Sequence, residues 1–291
     1  TSIGESKIPL GLLIFSSILN ILMDLWMVAG LGLGVFGAAI ATLIAQGISA
    51  VFSFLIFFAR MQQYKSPFNR FERQELYSML RIAVPSVLQQ STVSIGMMIV
   101  QAVVNPFGTQ ALAGYTATMR VENVFSLIFV SIGNAVSPYV SQNLGAKKYQ
   151  RIRKGVHSGT YMALLTSVVI SGVMVLFGRN ILSLFVSGEP EQIRQVLDIA
   201  YKYLFIMAIF LWVLYLLYVY RSAIQGLGNT LIPLASGIAE FVMRVSVALL
   251  LPKLIGEDGI FYAEICAWTS AAVLLFISYM IIIRKYKEYN C

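Results

Sequence analysis

Near the start of the sequence, three polar residues interrupt two otherwise apolar stretches: Asn20 and Asp24, four apart, and Thr42. Residues i and i+4 share one face of a helix, so the amide and the carboxylate would project together. Asp24 lies within the run Ile21-Leu22-Met23-Asp24-Leu25-Trp26-Met27 rather than among polar neighbours. Carboxylate, amide carbonyl and hydroxyl are the hard oxygen ligands that suit a small cation, and a desolvated carboxylate can also hold a proton. The same three groups could instead join two helices through hydrogen bonds, and spacing alone leaves both readings open. A second constellation combines Glu240 and Arg244, again four apart, with Glu264. An i,i+4 pair of opposite sign reads first as a structural ion pair; alternatively, the extra carboxylate leaves a net negative wall for a cationic ligand. Gln89 and Gln90 follow Pro85 and offer neutral polar groups for a cavity lining or for hydrogen bonds between helices. Arg120 and Glu122, two apart, cannot face each other on a helix and each needs another partner. No Ser/His/Asp set, base-coupled acid pair or phosphate-binding loop is present, so no catalytic residue is assigned. A single histidine, His157, and two cysteines, Cys266 and Cys291, give no metal site.

Composition says what must position these groups. Apolar residues make up 58% of 291 and charged residues only 12%, with a mean hydropathy of +0.78. Soluble domains carry about 25% charge. The numbers exclude a soluble domain, a disordered chain, a coiled coil and a disulfide scaffold, leaving a membrane protein whose first partner is the lipid bilayer. A hydrocarbon core ~30 Å thick needs about 20 apolar residues per helix. Eight stretches qualify, at approximately 9–29, 34–59, 81–104, 112–142, 156–178, 197–220, 231–252 and 259–283. The short alternating segments of a β-barrel do not occur. The expected fold is all-α, a polytopic bundle of eight spans.

Basic residues suggest the orientation. With the N-terminus in the cytosol, 15 of the 21 Lys and Arg fall on the cytosolic side, Arg221 among them, and four on the outer side. The net charge of +8 is thereby read as topology rather than a nucleic-acid footprint, and both termini are expected in the cytosol. The polar connection 60–80 divides the chain into two spans (1–59) and six (81–291).

The sequence also repeats. Ser6-Lys7-Ile8-Pro9-Leu10 resembles Thr230-Leu231-Ile232-Pro233-Leu234, and Gly34-Val35-Phe36-Gly37 resembles Gly256-Glu257-Asp258-Gly259, at separations of 224 and 222 residues. Spans one and two therefore match spans seven and eight, so that Arg244 corresponds to Asn20 and Glu264 to Thr42. Transporters are often built from such repeats. Extending the repeat upstream, the sequence is expected to lack about four spans of a twelve-span protein.

Several strings carry a family resemblance: Ile3-Gly4-Glu5-Ser6-Lys7-Ile8-Pro9-Leu10, Asn20-Ile21-Leu22-Met23-Asp24, Gly34-Val35-Phe36-Gly37-Ala38-Ala39-Ile40-Ala41-Thr42, Ala83-Val84-Pro85, Gln142-Asn143-Leu144-Gly145-Ala146-Lys147-Lys148, Gln225-Gly226-Leu227-Gly228-Asn229-Thr230 and Arg244. In this order and spacing the chain resembles the multidrug and toxic compound extrusion (MATE) transporters from their fifth span to the end. The resemblance implies a MATE-like fold, two spans of an N-lobe plus a six-span C-lobe joined by the 60–80 linker. It implies a multi-pass protein of the plasma membrane that exports small organic compounds, often cationic, by alternating access. It needs no cofactor beyond a coupling ion, H⁺ or Na⁺, and acts as a monomer. Asp24, Asn20 and Thr42 would form the N-lobe cation site with an Asp of the first span. Some MATE subgroups also carry acidic residues in the third and sixth of these spans; Leu80–Val104 and Leu204–Tyr220 hold none here. The other functions weighed are a lipid-linked oligosaccharide or polysaccharide flippase of the same superfamily and a non-transporting membrane scaffold.

Overall fold

The computed structural model describes residues 7–62, 72–256 and 258–288. Among them there is no strand, and eight helices are long and apolar enough to cross a membrane. In lipid a spanning segment must satisfy its own backbone, which a helix does without partners. In chain order the helices are α1 (Lys7–Asp24), α2 (Gly34–Met61), α3 (Arg73–Val104), α4 (Thr109–Gly145), α5 (Tyr149–Ser183), α6 (Pro190–Gly226), α7 (Leu231–Leu250), the single turn α8 (Pro252–Ile255) and α9 (Asp258–Glu288). A π-helical turn, Leu25–Gly30, continues α1. Most helices run several residues past the apolar stretches read from sequence. Helix α3 begins at Arg73, so residues 73–80 of the expected connection are helical; residues 63–71 of that connection lie outside the described residues.

The chain divides into two compact units, one ending at Glu72 and the other beginning at Arg73. The first is the hairpin of α1 and α2. It is pinned by hydrogen bonds from Ser16 Oγ to the Ala45 carbonyl and from Ser49 Oγ to the Leu12 carbonyl, both 3.5 Å. The second is built around α6: 61% of its most apolar window is buried, against at most 39% for any other span. Helices α4, α5 and α9 pack on it, while α7 lies between α9 and α3. Tyr203, Leu204, Leu217 and Ile224 of α6 are wholly inaccessible.

Where α4 meets α6, small residues let the backbones approach, the usual device of membrane helix packing. A Cβ on Gly114 would stand 3.2 Å from the Ala200 nitrogen, and one on Gly226 only 2.6 Å from the Ser137 carbonyl oxygen. Two further glycines show that the sequence repeat is physical. A Cβ on Gly37 would meet Leu33 Cβ at 2.9 Å and the Met27 oxygen at 3.2 Å; one on Gly259 would meet the Leu251 carbonyl carbon at 2.6 Å. In both hairpins the first turn of the returning helix presses on the end of the helix before it. Only the second hairpin places a helical turn, α8, in the connection, and there Gly256 adopts φ 70°, a conformation glycine takes without steric cost.

These contacts set a test of packing. Gly226→Ala forces α4 and α6 apart, an overpacking cost of about 1–3 kcal/mol. Gly172 of α5 has nothing within 4 Å of its would-be Cβ, so Gly172→Ala should cost nothing. Thermal unfolding in detergent should fall for the first variant and hold for the second; equal behaviour of the two would contradict the close-packed α4–α6 seam.

Candidate functional site

In the first unit, Asn20 Nδ2 donates to Thr42 Oγ1 at 3.2 Å, and Thr42 Oγ1 donates in turn to the Ala38 carbonyl at 2.9 Å. These bonds use the amide nitrogen of Asn20 and leave its carbonyl oxygen available as a ligand. Asp24 stands one turn further along α1, half-buried, with Oδ1 inaccessible and without a hydrogen-bond partner. No ion pair reaches Asp24 among the described residues. It is also the last α-helical residue before the π turn, in which the Leu31 nitrogen reaches back to the Trp26 oxygen at 3.0 Å. π turns are frequent at functional sites. The structure thus brings Asn20 and Thr42 into contact across the hairpin and leaves the Asp24 carboxylate, one turn along α1 from Asn20, with Oδ1 lacking a hydrogen-bond partner.

The second unit holds a larger polar assembly. Arg244 of α7 is completely buried, and its Nε donates to both carboxylate oxygens of Glu264 on α9 at 3.1 Å. Its Nη2 donates to Glu264 Oε2 at 2.8 Å and to Glu240 Oε1 at 2.9 Å. Glu240 Oε2 accepts from Arg221 Nη2 of α6 at 2.8 Å, and the same nitrogen reaches Ser236 Oγ at 3.4 Å. The Arg221 guanidinium also lies 5.7 Å from the centre of the Tyr218 ring. Gly96 of α3 makes room for Arg244, since a Cβ there would be 3.3 Å from Nη1. Buried charges persist when paired and hydrogen-bonded, and here one arginine satisfies two helices at once.

Arg221 corrects the sequence reading. It falls just past the apolar stretch 197–220 read from sequence, yet it is 6% exposed and sits inside α6, five residues before the helix ends at Gly226. The i,i+4 pair Glu240/Arg244 forms, but it is one link of a four-residue chain. The repeat correspondence of Asn20 with Arg244 and of Thr42 with Glu264 appears as matching contacts, each pair bonded across its own hairpin. Gln89 and Gln90 part company: Gln89 is buried against Gly237 of α7, whereas Gln90 is exposed. Met207 lies in the core while Met98 and Trp212 are exposed. Glu122 of α4 is buried; Arg120 is exposed and borders a cavity with Thr116, Phe185 and Gln192.

Residues 85–250 match the model of the MatE family. The chain belongs to the MatE family. It is 26% identical over 302 residues to "Probable multidrug resistance protein YoeA" of Bacillus subtilis, an alignment covering 97% of this chain and 62% of that protein. It is 25% identical over 221 residues to a protein named FAD transporter from Shewanella oneidensis, covering 72% and 49% respectively. In fold it is similar to the Vibrio cholerae MATE transporter VcmN in the bent form, with a TM-score of 0.85, 24% identity, and coverage of 98% of this chain and 64% of that one. The chain spans 62% or less of the length of these two curated relatives. As a MatE-family chain it is a multi-pass helical membrane protein, and its buried charges are the exceptions in an apolar bundle.

Removing the arginine that serves two carboxylates gives a direct test of the second assembly. Arg244→Ala leaves Glu240 and Glu264 buried without their shared counter-charge, a change expected to cost about 3–5 kcal/mol. The thermal unfolding midpoint should drop sharply, and adding Glu264→Gln to Arg244→Ala should restore part of the loss. An unchanged midpoint in the single variant would show that the ion pairs hold nothing together.

Proposed function

We propose that this chain is part of a cation-coupled exporter of small organic, cationic compounds, in which Asp24, Asn20 and Thr42 bind the coupling ion. The observation that carries the reading is the Asp24 carboxylate: one oxygen is inaccessible and makes no hydrogen bond, while the neighbouring Asn20–Thr42 pair is fixed by its own bonds. A desolvated, unpartnered carboxylate is costly in an apolar bundle, and binding H⁺ or Na⁺ removes the cost. The Asn20 carbonyl oxygen and the Thr42 hydroxyl oxygen supply further ligands of the right hardness. Ion binding can then bias a conformational equilibrium, because a ligand shifts states by its difference in affinity for them. Export follows by alternating access, with ion entry driving substrate release and no chemical conversion of either. In this reading the protein resides in the plasma membrane with both chain ends in the cytosol and works as a monomer. It requires no cofactor, resident metal or nucleic acid, and it is not an enzyme.

One relative is named for FAD transport. In the second unit, though, both buried guanidiniums are already engaged by carboxylates. A flippase of pyrophosphate-linked sugars needs free cationic groups for its cargo, and those arginines offer little. The balance of buried charge favours a cationic cargo.

Asp24→Asn in the complete protein should abolish ion-gradient-driven efflux of a fluorescent organic cation from proteoliposomes, with expression and unfolding temperature unchanged. Thr42→Ala should weaken coupling while leaving residual efflux. Full efflux by the Asp24→Asn protein would remove the residue from the mechanism.

A further inference from the structure

A third buried carboxylate lies near the Arg221–Glu240–Arg244–Glu264 chain. Glu122 of α4 is 8% exposed and makes no hydrogen bond or ion pair among the described residues, yet it lies within electrostatic reach of Glu264, Arg244 and Glu240. The Tyr203 hydroxyl of α6 is completely buried, has no hydrogen-bond partner, and lies within electrostatic range, though not hydrogen-bond distance, of Glu122 and Glu264. Tyr115 of α4, stacked on Tyr203 at 5.7 Å, shares that neighbourhood. The remaining helices add no charge at this level. On α3 the charged residues Arg73, Glu75 and Arg81 cluster in the first turns; on α5 the basic residues Arg151, Arg153, Lys154 and Arg179, with His157, lie toward the ends.

Charge bookkeeping sets the problem. Three buried carboxylates, Glu122, Glu240 and Glu264, face two guanidiniums, Arg221 and Arg244, leaving one negative charge in excess when all are ionised. Both arginines are engaged by Glu240 and Glu264, so the excess falls on Glu122. An isolated ionised carboxylate is not sustained in such surroundings; it takes up a positive charge. Arg244 and Tyr203 present N–H and O–H donors rather than the several oxygen ligands a metal ion requires, and no group of three acidic, His or Cys residues suited to a metal occurs among the described residues. The positive charge that fits is a proton.

We propose that Glu122 is a proton-carrying site of the second unit, at one end of a buried charge column made of Glu264, Arg244, Glu240 and Arg221. The step is a simple exchange with water: hydronium gives its proton to a Glu122 carboxylate oxygen, forming an O–H bond and leaving water, and the reverse step discharges it. A proton gained or lost at Glu122 therefore changes the field acting on ion pairs that join α6, α7 and α9. The functional meaning of the site rests on the ion-coupled reading above, but its existence does not.

The test is infrared difference spectroscopy on the complete protein in lipid nanodiscs, titrated with buffer alone. A buried protonated carboxyl should give a carbonyl band that persists at neutral pH, remains in Asp24→Asn, and disappears in Glu122→Gln. Glu122→Asp keeps a carboxyl in a displaced position and should shift the band, so it serves if the glutamine variant does not fold. A band unchanged in Glu122→Gln, unshifted in Glu122→Asp, or lost only in Glu264→Gln would overturn the proposal. Undiminished efflux by Asp24→Asn with the Glu122 band intact would instead sink only the first-unit ion site.

Discussion

A charged side chain removed from water must find a counter-charge inside the protein or give up its charge, and the two units of this chain meet that demand differently. In the second, Arg244 draws two carboxylates from α7 and α9, and one of these, Glu240, holds Arg221 of α6. Paired charges of this kind seldom stabilise more than apolar side chains of the same volume would. What they impose is specificity: α6, α7 and α9 must keep one register for every donor to find its acceptor. In the first unit no arginine serves Asp24 among the described residues, and its neighbours are an amide and a hydroxyl. On the proposed reading, these dipoles orient an ion that no fixed charge replaces.

The repeat makes the difference informative. The hairpins α1–α2 and α7–α9 place corresponding residues in contact, Asn20 with Thr42 and Arg244 with Glu264, and each uses a glycine to press the returning helix onto its predecessor. A common scaffold position thus carries an exchangeable polar pair in one hairpin and a fixed ion pair in the other. Geometry came with the repeat; chemistry diverged by substitution at two points on each hairpin.

Much of this was legible in the sequence because lipid imposes a coarse rule. Twenty apolar residues with few charges must be a helix, so eight spans and the all-α class followed from composition. Helix ends were less legible: α3 starts among Arg73, Gln74 and Glu75 because a helix can continue past the hydrocarbon with polar side chains exposed. Arg221 was misread because it lies close to the turn Gly226-Leu227-Gly228, although the flanking Tyr218-Val219-Tyr220 and Ala223-Ile224 are helical and mostly buried. Glu122 showed no partner because its charged neighbours come from α7 and α9, far along the chain. The π turn after Asp24 left no sign in the sequence, since no proline or glycine pair marks it.

The closed ion pairs and the excess carboxylate belong to one arrangement. Arg244 is shared by Glu240 and Glu264, and Arg221 holds the second oxygen of Glu240; Arg244 Nη1 and Arg221 Nε are buried without a hydrogen-bond partner, yet neither arginine pairs with Glu122 among the described residues. On the proposed reading, a proton held at Glu122 biases conformation to the extent that the states differ in affinity for it, and the ion pairs of Glu240 and Glu264 leave Glu122 as the carboxylate without a fixed partner.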